Sequence, residues 1–235
     1  MVRFLYEVEA AVHKDAVLIC DLHLGMESAL FESGIRSSEI SERLTQKTID
    51  LLKETKKKKL IIVGDLKERL VGIPTQVRKY VEEVSAYADI TLVKGNHDGG
   101  LEKIPGLEVI GPEGFVYQKL GIFHGHAWPG EEVLACKNVM MGHNHPQIKF
   151  AGVWIPAWAE LKADKKIIEK KYPDYNKRIK LILMPSFNPL LGTDLSKNIG
   201  LGPVLRNKLF KLDTAIIYSL SGTKIGKLSE MERRL

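Results

Sequence analysis

The chain has 235 residues, of which 44% are hydrophobic and 27% charged, a composition typical of a globular protein with one sizeable core. No apolar stretch approaches the ~20 residues needed to cross a bilayer, and no apolar leader opens the chain, so a cytoplasmic protein without a membrane partner is expected. Its two cysteines, Cys20 and Cys136, exclude a disulfide framework and a zinc knuckle. The net charge of +6 favours a polyanionic partner such as nucleic acid.

Hydrophobic periodicity predicts alternating strands and helices over the first two thirds of the chain. Strands are predicted at residues 3–12, 16–20, 60–63, 89–93, 115–117, 121–123 and 139–141. Helices are predicted from Ser38 or Ser41, either of which could cap the first one, to the lysine run at 56–59, then at 74–86 and 131–136.

The tail of the chain is predicted to be rich in strands, near residues 149–155, 179–184 and 214–220. Trp154 and Trp158 are expected in the core. Between the last two strands, residues 186–203 are rich in Gly, Pro and Asn and are expected to form either a functional loop or a mobile one. We interpret residues 1–235 as one domain, with a motif-bearing core at 1–155 and a strand-rich completion at 156–235.

Five predicted strands end in turns that carry metal-ligand residue types. These residues are Asp21 and His23, Asp65, Asn96 with His97 and Asp98, His124 and His126, and His143 and His145. Of the seven histidines in the chain, six lie in these turns and only His13 does not. A glycine near each turn lets the backbone bend sharply, so the side chains are expected to converge on one rim.

Imidazole and carboxylate groups without thiolate suit borderline divalent ions, namely Mn²⁺, Fe²⁺, Zn²⁺, Co²⁺ or Ni²⁺. The number of candidate ligands exceeds what one ion needs. Two ions sharing a bridging carboxylate would account for the surplus, at the spacing of about 3.5–4 Å found in two-metal sites. Such a pair activates water and binds phosphoryl oxygens, which predicts hydrolysis of a phosphate ester.

The ordered motifs Asp-x-His, Gly-Asp-x-x-Glu, Gly-Asn-His-Asp, His-Gly-His and Gly-His-x-His resemble those of the calcineurin-like metallophosphoesterase superfamily. They stand at 21–23, 64–68, 95–98, 124–126 and 142–145, in family order. The stretch 21–25 is more specifically similar to the SbcD-related archaeal branch and to PdeM-type phosphoesterases linked with repair ligases and helicases. The resemblance implies an α/β fold, a four-layer αββα sandwich of two mixed sheets flanked by helices, with the site on its rim.

The resemblance also implies residue roles. The first ion would be held by Asp21, His23 and His145, the second by Asn96, His124 and His143, with Asp65 bridging the two. His97 would bind no metal and would act as an acid or a positive contact in the transition state. Glu68 or Asp98 would orient His97, with Glu68 favoured.

Three further residues are candidates for substrate contact. His126 could contact a phosphate or cap its turn, Trp128 could stack on a base or cover a core edge, and Arg69 could meet a phosphate or form a surface ion pair. None of these pairs of alternatives is resolved by the sequence.

The predicted function is a phosphodiesterase or nuclease acting on nucleic acid or nucleotides, in which a hydroxide bridging two ions, Mn²⁺ by preference, attacks phosphorus in line. The alternatives are a non-catalytic nucleic-acid or helicase partner with a vestigial metal site, and a small-molecule phosphomonoesterase. A helicase partner and an oligomer are both compatible with this prediction. The sequence does not identify the substrate, because no base-reading element is apparent.

Overall fold

A computed structural model describes residues 2–35, 39–150, 152–197 and 200–231. In chain order its strands are β1 (Val2–Phe4), β2 (Ala11–His13), β3 (Ala16–Ile19), β4 (Lys59–Val63), β5 (Asp89–Val93), β6 (Leu107–Ile110), β7 (Phe115–Tyr117), β8 (Leu120–Phe123), β9 (Asn138–Met141), β10 (Pro146–Phe150), β11 (Val153–Pro156), β12 (Trp158–Ala163), β13 (Lys180–Leu183), β14 (Thr193–Asp194), β15 (Phe210–Tyr218) and β16 (Lys224–Lys227). Its helices are α1 (Met26–Glu32), α2 (Ile40–Thr55), α3 (Thr75–Ser85), α4 (Glu131–Leu134), α5 (Lys165–Lys171), α6 (Gly202–Arg206) and α7 (Leu228–Met231).

Two large mixed sheets form the frame of the fold. The first has the order β1-β2-β3-β4-β5-β6, antiparallel as far as β3 and parallel from β3 to β6. The second has the order β16-β15-β12-β13-β9-β8-β7, and only its β13-β9-β8 portion is parallel. A small third sheet, β11-β10-β14, lies beside them. Strands of the tail therefore complete the second sheet.

The two large sheets pack face to face across an apolar layer. Leu18 and Ile61 of the first sheet share this layer with Met140, Trp158 and Ile182 of the second. On its outer face, the first sheet packs against α1, α2 and α3, and the second packs against α4, α5, α6 and α7. The order helix, sheet, sheet, helix confirms the predicted four-layer α/β architecture.

The central strands follow directly from their sequences. β3 is buried at all four of its positions, and so are the last four positions of both β4 and β5. A strand covered on both faces needs apolar residues without alternation, which is the pattern that predicted these strands. In the described part of the chain, no helix combines the length and apolar character needed to cross a bilayer.

Several sequence predictions are wrong at chain reversals. The single strand predicted at 3–12 is two strands, because the chain turns back through Glu7 in the left-handed region (φ 57°). The strand predicted at 149–155 is the hairpin of β10 and β11, which reverses beside Gly152 (φ 84°). Periodicity reports which face is buried but not where an antiparallel pair turns, so both reversals escaped it.

Other differences concern helix ends and the tail. Ser41 does not cap α2; its hydroxyl accepts a hydrogen bond from the backbone of Gly25 and donates one to Glu27. Ser38 lies outside the described residues. The strand β12 and the helix α5 were not predicted, although Asp164 caps α5 by accepting from two backbone N–H groups. The loop predicted at 186–203 contains β14 and the first residues of α6.

The contact between the sheets gives a stability prediction. The ring of Trp158 is fully buried and stacks on Phe4 of the first sheet, with ring centroids 4.2 Å apart. We expect Trp158→Ala to lower the free energy of unfolding by about 3–5 kcal/mol, because it leaves a large cavity between the sheets. Denaturant unfolding monitored by circular dichroism measures this change. Tyr6→Ala, at a side chain that is 70% exposed, is the control and should change stability by less than about 0.5 kcal/mol.

Candidate metal centre

The five motif turns meet at one edge of the facing sheets. β3, β4 and β5 are parallel neighbours in the first sheet, and β8 and β9 are parallel neighbours in the second. The carboxyl ends of parallel strands share an edge, which is where ligands bind in open α/β sheets. The turns also bond to one another: the backbone N–H of Asp21 donates to Gly64 (3.0 Å), and that of His23 donates to Asp65 (2.9 Å).

Five candidate ligands have an unusual backbone conformation. Positive φ angles occur at Asp21 (54°), His23 (49°), Asp65 (49°), His143 (65°) and His145 (42°). Such angles are uncommon outside glycine and cost on the order of 1–3 kcal/mol each, so they persist only where surrounding contacts enforce them. Their concentration at one edge indicates that side-chain placement there is maintained against a local conformational cost.

Two glycines are required by the close approach of these turns. A Cβ atom on Gly64 would lie 2.0 Å from Nδ1 of His124, and one on Gly95 would lie 2.2 Å from Oδ1 of Asp65. Any larger residue at either position would displace a candidate ligand. The glycines of the motifs are therefore part of the geometry of the centre.

The candidate ligands form two groups, and one carboxylate of the second group also faces the first. Ligand atoms lie within 4.8 Å of one another in the group Asp21, His23 and His145 and in the group Asp65, His124 and His143. In the first group, Nε2 of His145 lies 3.3 Å from Oδ1 of Asp21. The oxygen Oδ2 of Asp65 lies 3.6 Å from Nε2 of His23 and 3.3 Å from Nε2 of His124. One oxygen of Asp65 thus faces a histidine of each group, the place expected for a bridging carboxylate.

The histidine nitrogens that face the centre fit a metal ion. Nε2 of His23, His124 and His145 is buried without a hydrogen-bond partner among the described residues. The other nitrogen of His124 donates to the carbonyl of Val63 (2.9 Å), and that of His23 bonds Glu68 (2.6 Å). A hydrogen bond to Nδ1 fixes the ring and directs Nε2 to the centre. Metal-bound histidines are commonly oriented by such a hydrogen bond to the nitrogen that does not bind the metal. The residues present therefore fit divalent cations.

Burial and neighbouring charges together shift the pKa values of the residues in the centre. Burial alone would raise the pKa of Asp65, but the adjacent His124 imidazole and the charge of His23 hold it well below its usual range. Burial would likewise lower the pKa of His124, yet Asp65 and Asp21 outweigh it and raise the pKa to about 9. Burial and the charge of His124 lower the pKa of His143 to about 4. One histidine is therefore cationic and its neighbour neutral at pH 7.

The expected partner of His97 is corrected by the structure. The Glu68 carboxylate bonds His23, and the Asp98 carboxylate accepts backbone N–H groups of Gly95 (2.8 Å) and Leu66 (2.9 Å). Among the described residues, the contact to Nδ1 of His97 is made by the backbone carbonyl of Glu68. A carboxylate oxygen of Glu68 lies within 4.8 Å of ring nitrogens of His23 and His97. It hydrogen-bonds His23 and not His97.

Asp98 has a structural position rather than one facing the substrate. It is fully buried and joins the turn after β4 to the turn after β5 through its backbone contacts. Burial, together with the charge of Asp65, raises the pKa of Asp98 to about 6. Its effect on chemistry would therefore be indirect, through the placement of Asp65 and His97.

The remaining candidates lie around the centre. Asn96 is exposed on the turn before His97, and its role as a ligand stays a prediction. The ring of His126 lies 5.3 Å from that of His124, and its Nδ1 is buried without a partner in the described structure. Arg69 forms a surface ion pair with Glu32, one of its two expected alternatives.

Trp128 is partly exposed near the centre. Nζ of Lys171 lies 4.1 Å from its ring centroid, and the ring also contacts that of Tyr172. Base stacking by Trp128 stays a prediction.

Residues of the tail support the centre, and sequence reasoning missed them. The hydroxyl of Ser186 donates to the carbonyl of Asp21 (2.8 Å), and the amide of Asn188 donates to the carbonyl of Leu22 (2.9 Å). The side chain of Asn144 accepts from the backbone of Leu201 (2.8 Å). The available signal was composition, since the polar Ser-Phe-Asn-Pro stretch at 186–189 begins three residues after the end of β13.

Comparison with known proteins agrees with this geometry. The family model for calcineurin-like phosphoesterases matches residues 17–182. The fold is similar to that of nuclease MPE from Pseudomonas putida, with a TM-score of 0.61 and 17% identity over 94% of this chain and 98% of that one. YfcE, a phosphoesterase from E. coli, aligns with a TM-score of 0.44 and 16% identity over 90% of this chain and 97% of that one.

No curated protein sequence matches the chain significantly. The narrower SbcD-related or PdeM-like branch stays a prediction. The family model spans more than half of the chain and includes every turn of the candidate centre, so this protein belongs to the calcineurin-like phosphoesterase family.

Proposed function

We propose that this phosphoesterase hydrolyses phosphodiester bonds of nucleic acid or nucleotides and uses two divalent ions, Mn²⁺ by preference. The observation that carries the proposal is the position of Asp65, whose Oδ2 lies within 3.6 Å of a histidine from each of the two groups. A carboxylate between two sets of ligands is the arrangement of two-metal hydrolytic sites. The chemistry of the ligands, imidazole and carboxylate without thiolate, suits Mn²⁺ and its neighbours among divalent ions.

The two groups divide the predicted ligands between the ions. Asp21, His23 and His145 would hold the first ion, while His124, His143 and Asn96 would hold the second, with Asp65 shared. When bound, the ions would supply a reactive water and neutralise charge on the phosphoryl oxygens. The protein supplies the fixed ligand directions through the left-handed turns and the hydrogen bonds to Nδ1 of His23 and His124.

His97 is the candidate general acid. Its Nδ1 is held by the carbonyl of Glu68, so the proton available for transfer is the one on Nε2. The ring lies 4.8 Å from that of His23, at the edge of the first group, and is only half-buried. A protonated Nε2 could donate to the leaving oxygen of a substrate seated over the centre.

Three features support a nucleic-acid or nucleotide substrate. The net charge of +6 favours polyanions. Nuclease MPE shares the fold over nearly the whole chain. His126, whose ring is next to that of His124 and whose Nδ1 has no partner among the described residues, would contact a phosphate in this proposal. The predicted helicase partner and oligomer stay predictions.

Hydrolysis of bis-p-nitrophenyl phosphate tests the proposal directly. We expect turnover with Mn²⁺ and lower or no turnover after treatment with EDTA. Activity confined to p-nitrophenyl phosphate would indicate a monoesterase instead. No activity with Mn²⁺, Co²⁺, Ni²⁺ or Fe²⁺ would favour a non-catalytic partner with a vestigial site.

Substitution of the Asp65 carboxylate distinguishes a site that holds two ions from a site that holds one. We expect Asp65→Asn to retain about one Mn²⁺ per chain where the parent binds two, and to lose most activity, because the amide lacks the charge that both ions share. Metal content by plasma mass spectrometry and turnover measure this result. Asp89→Asn, at an exposed aspartate that begins the next strand, is the matched control. A fully metallated and active Asp65→Asn protein would contradict the bridging role.

His97→Ala tests the acid. We expect kcat to fall by about 10²–10⁴-fold while both ions remain bound, because His97 is assigned to proton transfer and not to either ion. Steady-state kinetics and metal content are measured on the same preparation. Loss of an ion together with activity would make His97 a ligand instead.

Metal binding is expected to release a proton from His124. Its pKa of about 9 means that an ion must displace a proton at pH 7, whereas His143, with a pKa of about 4, has none to lose. Apparent affinity should therefore rise about tenfold per pH unit between pH 7 and 9 and level off above pH 9. Calorimetry in buffers of different ionisation enthalpy counts the protons released. Affinity independent of pH in this range would show that His124 is neutral before binding.

A further inference from the structure

A hairpin next to the centre exposes large apolar side chains on both of its faces. β10 begins at Pro146, directly after His145, and β11 returns beside it with Lys149 opposite Trp154. Trp154 was expected in the core but is 45% exposed, and Phe150 and Val153 at the end of the hairpin are 53% and 62% exposed. Phe150 pairs with Val153 on one face of the hairpin, and Trp154 pairs with Lys149 on the other, so the exposed indole ring shares its face with an amine.

Trp154 forms one wall of a cleft of about 300 Å³, a volume at the lower end of small-ligand sites. The cleft lies between the hairpin, the loop after β14 and the last described helix. Its lining includes Ile148, Lys149, Trp154, Asp194, Lys197 and Leu228, so two amines face one carboxylate. It therefore combines an aromatic wall and aliphatic floor residues with two amines.

The two lysines give the cleft a positive character. In the described structure, no carboxylate lies within ion-pair distance of Lys149. Lys197 is exposed, and its Nζ lies 3.9 Å from Asp194. The backbone N–H (3.0 Å) and hydroxyl (2.6 Å) of Ser196 both donate to Oδ1 of Asp194, and Lys197 faces the other oxygen, Oδ2. A long, exposed ion pair of this kind contributes little, so Lys149 is free and Lys197 only loosely held when an anionic ligand arrives.

The cleft is connected to the metal centre by a pair of strands. β14 pairs with β10 in parallel, with Thr193 beside Pro146, and the N–H of Thr193 donates to the carbonyl of His145 (2.8 Å). Both strands therefore lead away from His145. Lys149 stands three residues beyond Pro146, a distance of about 10 Å at the rise of an extended strand. Trp154 lies opposite Lys149 in the hairpin and is therefore about as far from Pro146.

We propose that this cleft binds an unpaired base of a single-stranded nucleic acid, with Trp154 stacking on the base and Lys149 and Lys197 contacting the neighbouring phosphates. The inference rests on the proposed function and narrows its substrate to single strands. An exposed ring beside amines is the combination that binds single strands without reading sequence. A base held in a duplex would not present its face to Trp154.

Binding by metal-free protein tests the proposal without catalysis. The probe is a fluorescein-labelled twelve-nucleotide oligothymidylate, added in EDTA and followed by fluorescence anisotropy. We expect Trp154→Ala to weaken binding roughly 5- to 150-fold and Trp154→Phe, which keeps a ring, to weaken it less. The double variant Lys149→Ala/Lys197→Ala should reduce the slope of log affinity against log salt by about 1.4, two single-strand phosphate contacts.

Matched measurements separate this inference from the proposed function. Lys56→Ala/Lys58→Ala removes two exposed lysines at the opposite edge of the first sheet and should leave cleft-dependent binding intact. Bis-p-nitrophenyl phosphate is too short to reach the cleft, so Trp154→Ala should hydrolyse it at the parent rate. Parent-like oligonucleotide binding by Trp154→Ala, with hydrolysis of the small diester retained, would overturn the cleft and leave the phosphodiesterase standing.

Self-association is the competing use of the hairpin. Light scattering during gel filtration would reveal it as a parent dimer that Trp154→Ala converts to a monomer. That result would overturn the proposal, because the exposed side chains would then face a second copy of the chain. A monomeric parent, with binding that depends on Trp154, would support it.

Discussion

The buried carboxylates of Asp21 and Asp65 set the constraint on which the centre depends. Both are almost completely buried, and an isolated buried charge is strongly unfavourable. The fold compensates them with His124, whose raised pKa makes it a cation at neutral pH, and with backbone N–H groups of His97 and His143. A divalent ion would replace a proton in the same cluster. The imidazole of His124 therefore both stabilises the buried carboxylates and is able to bind metal.

This constraint explains the backbone of the turns. A carboxylate must leave the strand end and face a histidine from another strand within one or two residues, which Asp21 and Asp65 do in the left-handed conformation. The neighbouring chain must then pass very close, which is why Gly64 and Gly95 have no room for a Cβ atom. The short motifs therefore reflect the tertiary structure: the spacing of their residues is set by how few positions the chain has in which to turn.

Because each motif is only a few residues long, the ligand residues of the centre could be predicted from the sequence. An apolar run followed by a ligand residue, with Gly between them at Asp65 and His143, identified the strand ends at Asp21, Asp65 and His143 without any knowledge of pairing. The partner of His97 could not be predicted in the same way. Glu68 and Asp98 are both near it in the motifs, and only the folded turns show that their carboxylates are engaged elsewhere. Burial of tryptophan was equally undetermined, since it depends on which strand of the tail joins a large sheet.

The motif turns also depend on contacts from the tail of the chain. Ser186 bonds the carbonyl of Asp21, and Phe187 donates its N–H to the carbonyl of Cys20 (2.9 Å). Leu201 donates to Asn144, between two candidate ligands. The β13 strand that leads into this segment lies between β12 and β9, so it is an internal member of the second sheet. The ligand turns are thus positioned by residues more than 40 positions beyond the last motif, and a chain cut after His145 would keep every motif residue while losing the contacts that orient them.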